Sequence, residues 1–406
     1  MTPTAPAPTA RRARFAAWIV IALLLVPGQL GWLWLLGRAT PDGPLLAWGQ
    51  LALGAAALAM LALLRTTPDD AIRLASRTSI GVVGGGTLAL QAAAVAFLAS
   101  PAPSSACRVV LALAVVAAVA ALVAALRRSG QSVWHAALFG WHPLLTLTVG
   151  VGGGGGAYVL GLACAAAALA ATAVGRFKLA AAALALAARV EPLAALLLPF
   201  LWRRAHEERS FRAGRRVVLV FALALAAAWV IPLDPRGWTD ARPTAPDGRA
   251  AAGFVYEMSR VLFGDGTAPP ASSPWAGGAI PLLGLAALLG MALLLWQSRA
   301  TLAEAGYWMA VLLLLFAPVV RPWQVLWPLL FVPMLRGPQG YAALVWAATA
   351  AIIHAAPLRG PWAVLPHLPV LCVLAAEAVR LARIVPLGRI VQGPPRPSEP
   401  DSPVAT

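Results

Sequence analysis

Charge is what this sequence has least of. Only 11% of its 406 residues are Asp, Glu, Lys or Arg, where soluble domains carry about 25%, and 60% are apolar. That scarcity excludes an ordinary water-soluble domain. With a mean hydropathy of +0.79, it points to an all-α polytopic transmembrane bundle. Acids are scarcer still, 15 against 31 cations, for a formal net charge of +16. No basic stripe interleaved with aromatics is present, which excludes nucleic acid as a partner. Cysteine is nearly missing: Cys107, Cys164 and Cys372 lie in or beside different apolar runs without metal spacing, which excludes a disulfide or metal framework. Lysine is scarce as well, Lys178 alone among the clustered cations, and with abundant alanine this suggests a GC-rich bacterial genome.

The cations that are present mark topology. Arg11, Arg12 and Arg14, then Arg127 and Arg128, then Arg203, Arg204, Arg209, Arg212, Arg215 and Arg216 fall between apolar runs, as Lys and Arg do in cytoplasmic loops. Residues 1–14 read as a disordered cytoplasmic tail, and 15–36 as a retained first span rather than a signal peptide. Further runs lie near 44–64, 78–99, 108–126, 134–150 and 157–174, each close to the 20 or so residues that cross a bilayer. Alternation then fails, because Arg176 and Lys178 and the arginines of 203–216 flank a single run and both belong inside. The economical reading makes 179–201 a re-entrant helical hairpin hinged at Arg189-Val-Glu-Pro192, since proline removes a helical donor and disfavours helix at Glu191. Each arm would hold about ten residues, half a bilayer. A span at 217–233, an external loop at 234–277 and runs near 278–297, 304–320, 322–335, 340–356 and 362–382 follow. The transmembrane domain is thus 15–383, with about twelve crossings, a disordered tail at 384–406, and both termini in the cytoplasm of a bacterium with the chain in its inner membrane.

Placement of the few polar groups gives the candidate site. Asp42, just past the first span, sits where a carboxylate can take a proton from a hydroxyl or hold a divalent metal, although Pro-Asp-Gly is also an ordinary tight turn. Arg321, in Val320-Arg-Pro-Trp323, lies at the outer end of a span beside Trp323, where a guanidinium grips phosphate or simply snorkels. Arg189 and Glu191 are candidates because intramembrane charge is costly; a mutually neutralising pair that fixes the hinge is the other reading. In the external loop, Phe254-to-Phe263 has the spacing of an interfacial helix and carries Tyr256, Glu257 and Arg260. His142, in Trp-His-Pro, is either a ligand-facing or a packed polar residue. The glycines at 152–156 lack the Lys-Ser/Thr of a phosphate loop.

Taken together, Asp42, Trp141-His-Pro-Leu144, Gly152 to Tyr158, Gly175-Arg-Phe-Lys178 with Ala181 to Pro192, and Arg321-Pro-Trp323 through Pro333 resemble, in their order, the GT-C superfamily of polyprenyl-phosphate-dependent glycosyltransferases. Within it the chain is most similar to bacterial mannosyltransferase-like proteins and glycosyltransferase family 87. It departs from them at His142, where the family has Asn, at Glu191, where it has Lys, and in lacking an acid or histidine in the glycine run. The resemblance implies a GT-C fold, Asp42 as catalytic base, and Arg321, Trp323, Tyr256, Glu257, Arg260, His142, Arg189 and Glu191 around the substrate. It further implies transfer of a sugar, mannose by preference, from a polyprenyl-phosphate donor to a glycan or lipid acceptor on the external face, with no cofactor beyond an optional divalent cation. The alternatives are a transporter or lipid flippase centred on the hinge, and a catalytically inactive GT-C paralogue.

Overall fold

Alanine and leucine dominate the apolar runs, and both lose little freedom in a helix while offering lipid no unsatisfied polar group. The backbone therefore bonds to itself as helix. A computed structural model describes residues 20–38, 44–66, 76–98, 105–151, 156–230, 254–256, 258, 278–317, 320–355 and 367–384, and among these there is no strand. Asp42, the external loop apart from Phe254 to Tyr256 and Met258, residues 152–155, and the tails at 1–14 and 385–406 lie outside the described residues.

A π-turn, Leu24–Gly28, accommodates Pro27, which has no N–H to give, and leads into α1 (Gln29–Arg38). Next come α2 (Pro44–Thr66), α3 (Ser76–Phe97), α4 (Ser105–Arg128), α5 (His135–Gly140), α6 (Pro143–Val151) and α7 (Gly156–Ala173). Helix α8 (Phe177–Val190) passes through a 3-10 turn, Pro192–Leu197, into α9 (Leu198–Glu208) and then α10 (Phe211–Val230). After the stretch 234–277 come α11 (Ile280–Gln297) and α12 (Leu302–Leu315). Prolines then break the chain into a 3-10 turn (Pro322–Val325), α13 (Leu326–Phe331) and a second 3-10 turn (Val332–Met334), before α14 (Gln339–Ala355) and α15 (Leu368–Ile384). Among the described residues, six helices are long and apolar enough to cross a membrane: Trp48–Arg65, Ser79–Phe97, Ala106–Arg128, Gly156–Ala173, Phe211–Val230 and Ile280–Gln297. Val20–Leu36, Leu302–Leu315 and Trp323–Met334 are apolar but shorter.

Specific contacts give the bundle two chemically different ends. At one, Arg65 donates to the Gly337 carbonyl and lies over the Tyr341 ring at 4.5 Å, and Tyr307 Oη donates to the Gln339 carbonyl at 3.0 Å. Arg203 donates to the Trp296 and Ala300 carbonyls at 2.5 and 2.8 Å, closing the C-terminal end of α11. Gly175, at φ +69°, turns the chain so tightly that a Cβ there would stand 3.5 Å from Arg209 Nη2. The start of α8 therefore meets the end of α9. Arg203–Glu207 and Arg204–Glu208 pair at this end, and Glu377–Arg380 lies in electrostatic reach of Glu304 in the first turn of α12.

At the other end the Arg189 guanidinium lies 4.2 Å from the Trp229 ring, so α8 and α10 run side by side from the basic end. The chain turns back at Glu191, which is extended at φ −131°, ψ 108°. The hairpin expected from the charge pattern is thus present, with both legs rooted at the arginine end. Its legs are longer than about ten residues, however: 14 in α8, and 6 in the 3-10 turn plus 11 in α9 on the return. Pro192 stops α8 but, standing first in the 3-10 turn, leaves the return leg free to coil, and i,i+4 pairs carry α9 on to Glu208. At 1.5 Å per residue α8 covers about 21 Å, more than half a bilayer.

Trp141, Trp308, Trp346, Tyr307 and Phe331 are fully buried, whereas Leu219, Leu223 and Trp229 on α10 and Leu282, Leu283 and Leu289 on α11 form an exposed apolar surface. Such a surface suits lipid, not water. Close packing in the core is sharpest at Gly306 on α12, where an added Cβ would fall inside the van der Waals envelope of the Phe331 ring. Gly306→Ala is expected to cost about 1–3 kcal/mol of stability, against a gain of a few tenths for Gly290→Ala on α11, where a Cβ meets nothing within 4 Å. Thermal unfolding of both variants in the same detergent checks this.

Candidate functional site

The site begins at the hinge. Pro192 disfavours helix in the residue before it, so Glu191 leaves the axis of α8 in an extended conformation. Its backbone is held from both sides: Glu191 N–H donates to the Ala187 carbonyl at 2.9 Å, and Ala194 N–H donates to the Glu191 carbonyl at 3.0 Å. Val190, just before it, packs on Gly161 of α7, where a Cβ would lie 3.3 Å from Val190 Cβ and 3.5 Å from Trp327.

Trp327 brings in the second element, the proline-broken segment after α12. Arg321 N–H donates to Gln324 Oε1 at 2.7 Å, and Gln324 N–H donates back to the Arg321 carbonyl at 2.9 Å, so side chain and backbone lock the first 3-10 turn. The Arg321 guanidinium carbon stands 5.7 Å from the Trp323 ring centre. The third element is the first turn of α7. The Tyr158 ring lies tilted against Trp323, centroids 6.4 Å apart, within electrostatic reach of Gln324, Glu191 and Arg321.

Between these residues and α11 and α12 lies a partly open cavity of about 360 Å³. Glu191, Gln324 and Trp327 line one end, and Leu285, Leu288, Leu313 and Leu314 line its apolar wall. Leu285 is also 53% exposed on the outer face of α11, so that wall is one helix thick. Pockets for small molecules run from about 300 to 1,000 Å³ with a few polar groups among apolar ones, so this one takes a head group or the first part of a tail. Phe316 closes the rim, and Tyr256, 3% exposed, packs on Phe316 and Ile280 there. The cavity therefore sits at the end opposite the arginines, between the first half of α11 and the last half of α12.

Charges in this region stay apart. Arg189 turns to Trp229 and forms no ion pair with Glu191 among the described residues. Arg321 likewise meets no carboxylate among them, and the buried indole Nε1 atoms of Trp323 and Trp327 have no partner. A buried donor left unbonded costs about 1–3 kcal/mol, which a hydrogen-bonding partner at either indole would recover.

The sequence-derived candidates fall into three sets. Glu191 lines the cavity, Arg321 and Trp323 stand beside it on the turn that carries Gln324, and Tyr256 packs at its rim. Arg189 and His142 do not line the cavity. His142 is fully buried, and its Nδ1 accepts the Leu144 N–H at 3.3 Å, a local cap for the start of α6. Asp42, Glu257 and Arg260 lie outside the described residues. Sequence reasoning missed Tyr158, Gln324 and Trp327, for which the only signal was a polar or aromatic residue beside a glycine or proline break. Among the described residues no three His, Cys, Asp or Glu side chains gather to hold a metal. A scan of family models matched none to this chain, and searches of curated proteins and of solved structures returned no match either.

Proposed function

We propose that this chain is a membrane-embedded glycosyltransferase of GT-C type, which moves a sugar from a polyprenyl-phosphate donor to a glycan or lipid acceptor. One observation carries the reading: an apolar cavity, walled from the exposed face of α11 by one helix, is lined by Glu191 and by Gln324, and Gln324 is bonded to the backbone of Arg321, whose guanidinium meets no carboxylate among the described residues. A lipid phosphate bearing a sugar has the same sequence of parts. Its first isoprene units fit the leucines of α11 and α12, its phosphate suits the planar fork of Arg321, and its sugar comes beside Glu191. With cytoplasmic loops rich in arginine, the cavity end faces outward and both termini lie inside; the six long helices and the three shorter apolar ones account for nine of the twelve or so crossings expected from the apolar runs.

In the chemistry that the resemblance implies, Asp42 takes the proton of an acceptor hydroxyl and the freed oxygen attacks the anomeric carbon. The bond from that carbon to the phosphate oxygen breaks, and the electron pair leaves on a polyprenyl phosphate whose charge Arg321 offsets. Nothing in this scheme requires a divalent cation. A transporter centred on the hinge would need Arg189 and Glu191 to face one cavity, and they face different sides of α8.

The test is direct. Purified protein in vesicles is supplied from the outer face with polyprenyl phosphate carrying radiolabelled mannose, glucose or galactose, together with a membrane-lipid and glycan extract. Label is expected to appear in the acceptor from one of these donors. No transfer from any of them overturns the assignment.

A further inference from the structure

A phosphate needs only the Arg321 side of this site. What remains is an acceptor-only group, Glu191, with a side-chain amide (Gln324), a phenol (Tyr158) and an unpartnered, 98%-buried indole N–H (Trp327, 2% exposed). A carboxylate repels phosphate, so the part of the ligand at Glu191 must be neutral or cationic and rich in donors. A cation there would meet the charge of Arg321, which reaches the same Tyr158. A neutral polyol meets no such penalty. The backbone beneath the carboxylate is also held in advance: Pro192 keeps Glu191 extended, and two backbone hydrogen bonds clamp it. Binding then orders no further backbone at that residue.

We propose that Glu191 is the sugar-recognition residue of this site, its two oxygens accepting from adjacent hydroxyls of the lipid-linked hexose while Gln324 and Trp327 bond the rest of the ring. This rests on the transferase reading and adds to it the residues that read the sugar. Discrimination follows from the same chemistry, since a sugar whose hydroxyls point elsewhere leaves Glu191 and the Trp327 N–H unpaired.

The experiment compares two ligands on the full chain in nanodiscs, a short polyprenyl phosphate and the same lipid carrying the sugar that the wild type transfers or, failing transfer, mannose. Dissociation constants are measured for wild type, Glu191→Gln and Glu191→Ala, with melting temperatures to confirm folding. Loss of charge-assisted bonds should weaken the sugar-bearing lipid about tenfold in Glu191→Gln and up to about a hundredfold in Glu191→Ala. The sugar-free lipid should bind all three alike. Equal weakening of both lipids means that Glu191 only shapes the hinge, and unchanged binding of both means that it touches no sugar; each overturns the proposal and leaves the transferase reading intact. Wild type that binds neither lipid overturns the transferase reading together with this one.

Discussion

Arg321→Ala is expected to weaken binding of the polyprenyl-phosphate donor about a hundredfold and to lower sugar transfer in proportion, without loss of the folded protein. The guanidinium takes no part in holding the segment together. It is the Arg321 backbone N–H, which alanine keeps, that bonds Gln324 Oε1 at 2.7 Å, and the side chain contributes only its approach to Trp323 at 5.7 Å. Two charge-assisted bonds to a phosphate, each worth about 1.5 kcal/mol, give about 3 kcal/mol, or roughly two factors of ten in affinity. Arg321→Lys keeps the charge but not the fork, so about a tenfold loss is expected. Titration of the sugar-free polyprenyl phosphate reads this directly, because the phosphate is then the only polar group offered. Unchanged affinity in Arg321→Ala would remove this residue from the donor site and, with it, the match between the cavity and a lipid phosphate.

Much of the architecture is legible in the composition, because in a chain so poor in charge each break in an apolar run is forced by a particular residue. Pro192 illustrates this: the hinge falls where proline and two charges interrupt the run, and the basic residues on either side return to one end. What could not be read was how far the legs extend, since the periodicity of 198–208 is amphipathic and says only that α9 lies with one face buried. Arg189 and Glu191 look like a pair because they are close in sequence. Residues two apart do not share a helix face, and the extended backbone at Glu191 turns it still further from Arg189. His142 stands out in sequence as a polar break, yet it caps α6 within the core. The reverse holds for Tyr158, Gln324 and Trp327. Each is ordinary in its own segment, and only the packing of α7 against the broken segment after α12 sets them around one cavity.

Single cysteines at Arg176 and Arg209, with the three native cysteines replaced by alanine, are expected to react with a membrane-impermeant maleimide only in inverted vesicles. Cysteines at Val230 and Arg321 should react only in right-side-out ones. The outcome is all or none because topology is. Gly175 adjoins Arg209 at one end of the bundle, whereas Arg189 adjoins Trp229 at the other. Placing the first pair on opposite faces of a membrane would separate groups that touch. It would also carry one of two arginine clusters to the outside, against the bias that keeps Lys and Arg in cytoplasmic loops. Val230, 82% exposed at the far end of α10, reports the face on which the hinge arrives, and Arg321 reports whether the cavity end shares it. Reaction of 176 and 209 from opposite sides would turn the hairpin into a simple crossing and take Glu191 and Arg321 out of a common site. Reaction of 230 and 321 from the cytoplasmic side would invert the bundle and leave the cavity on the face where no lipid-linked donor of the proposed kind is used.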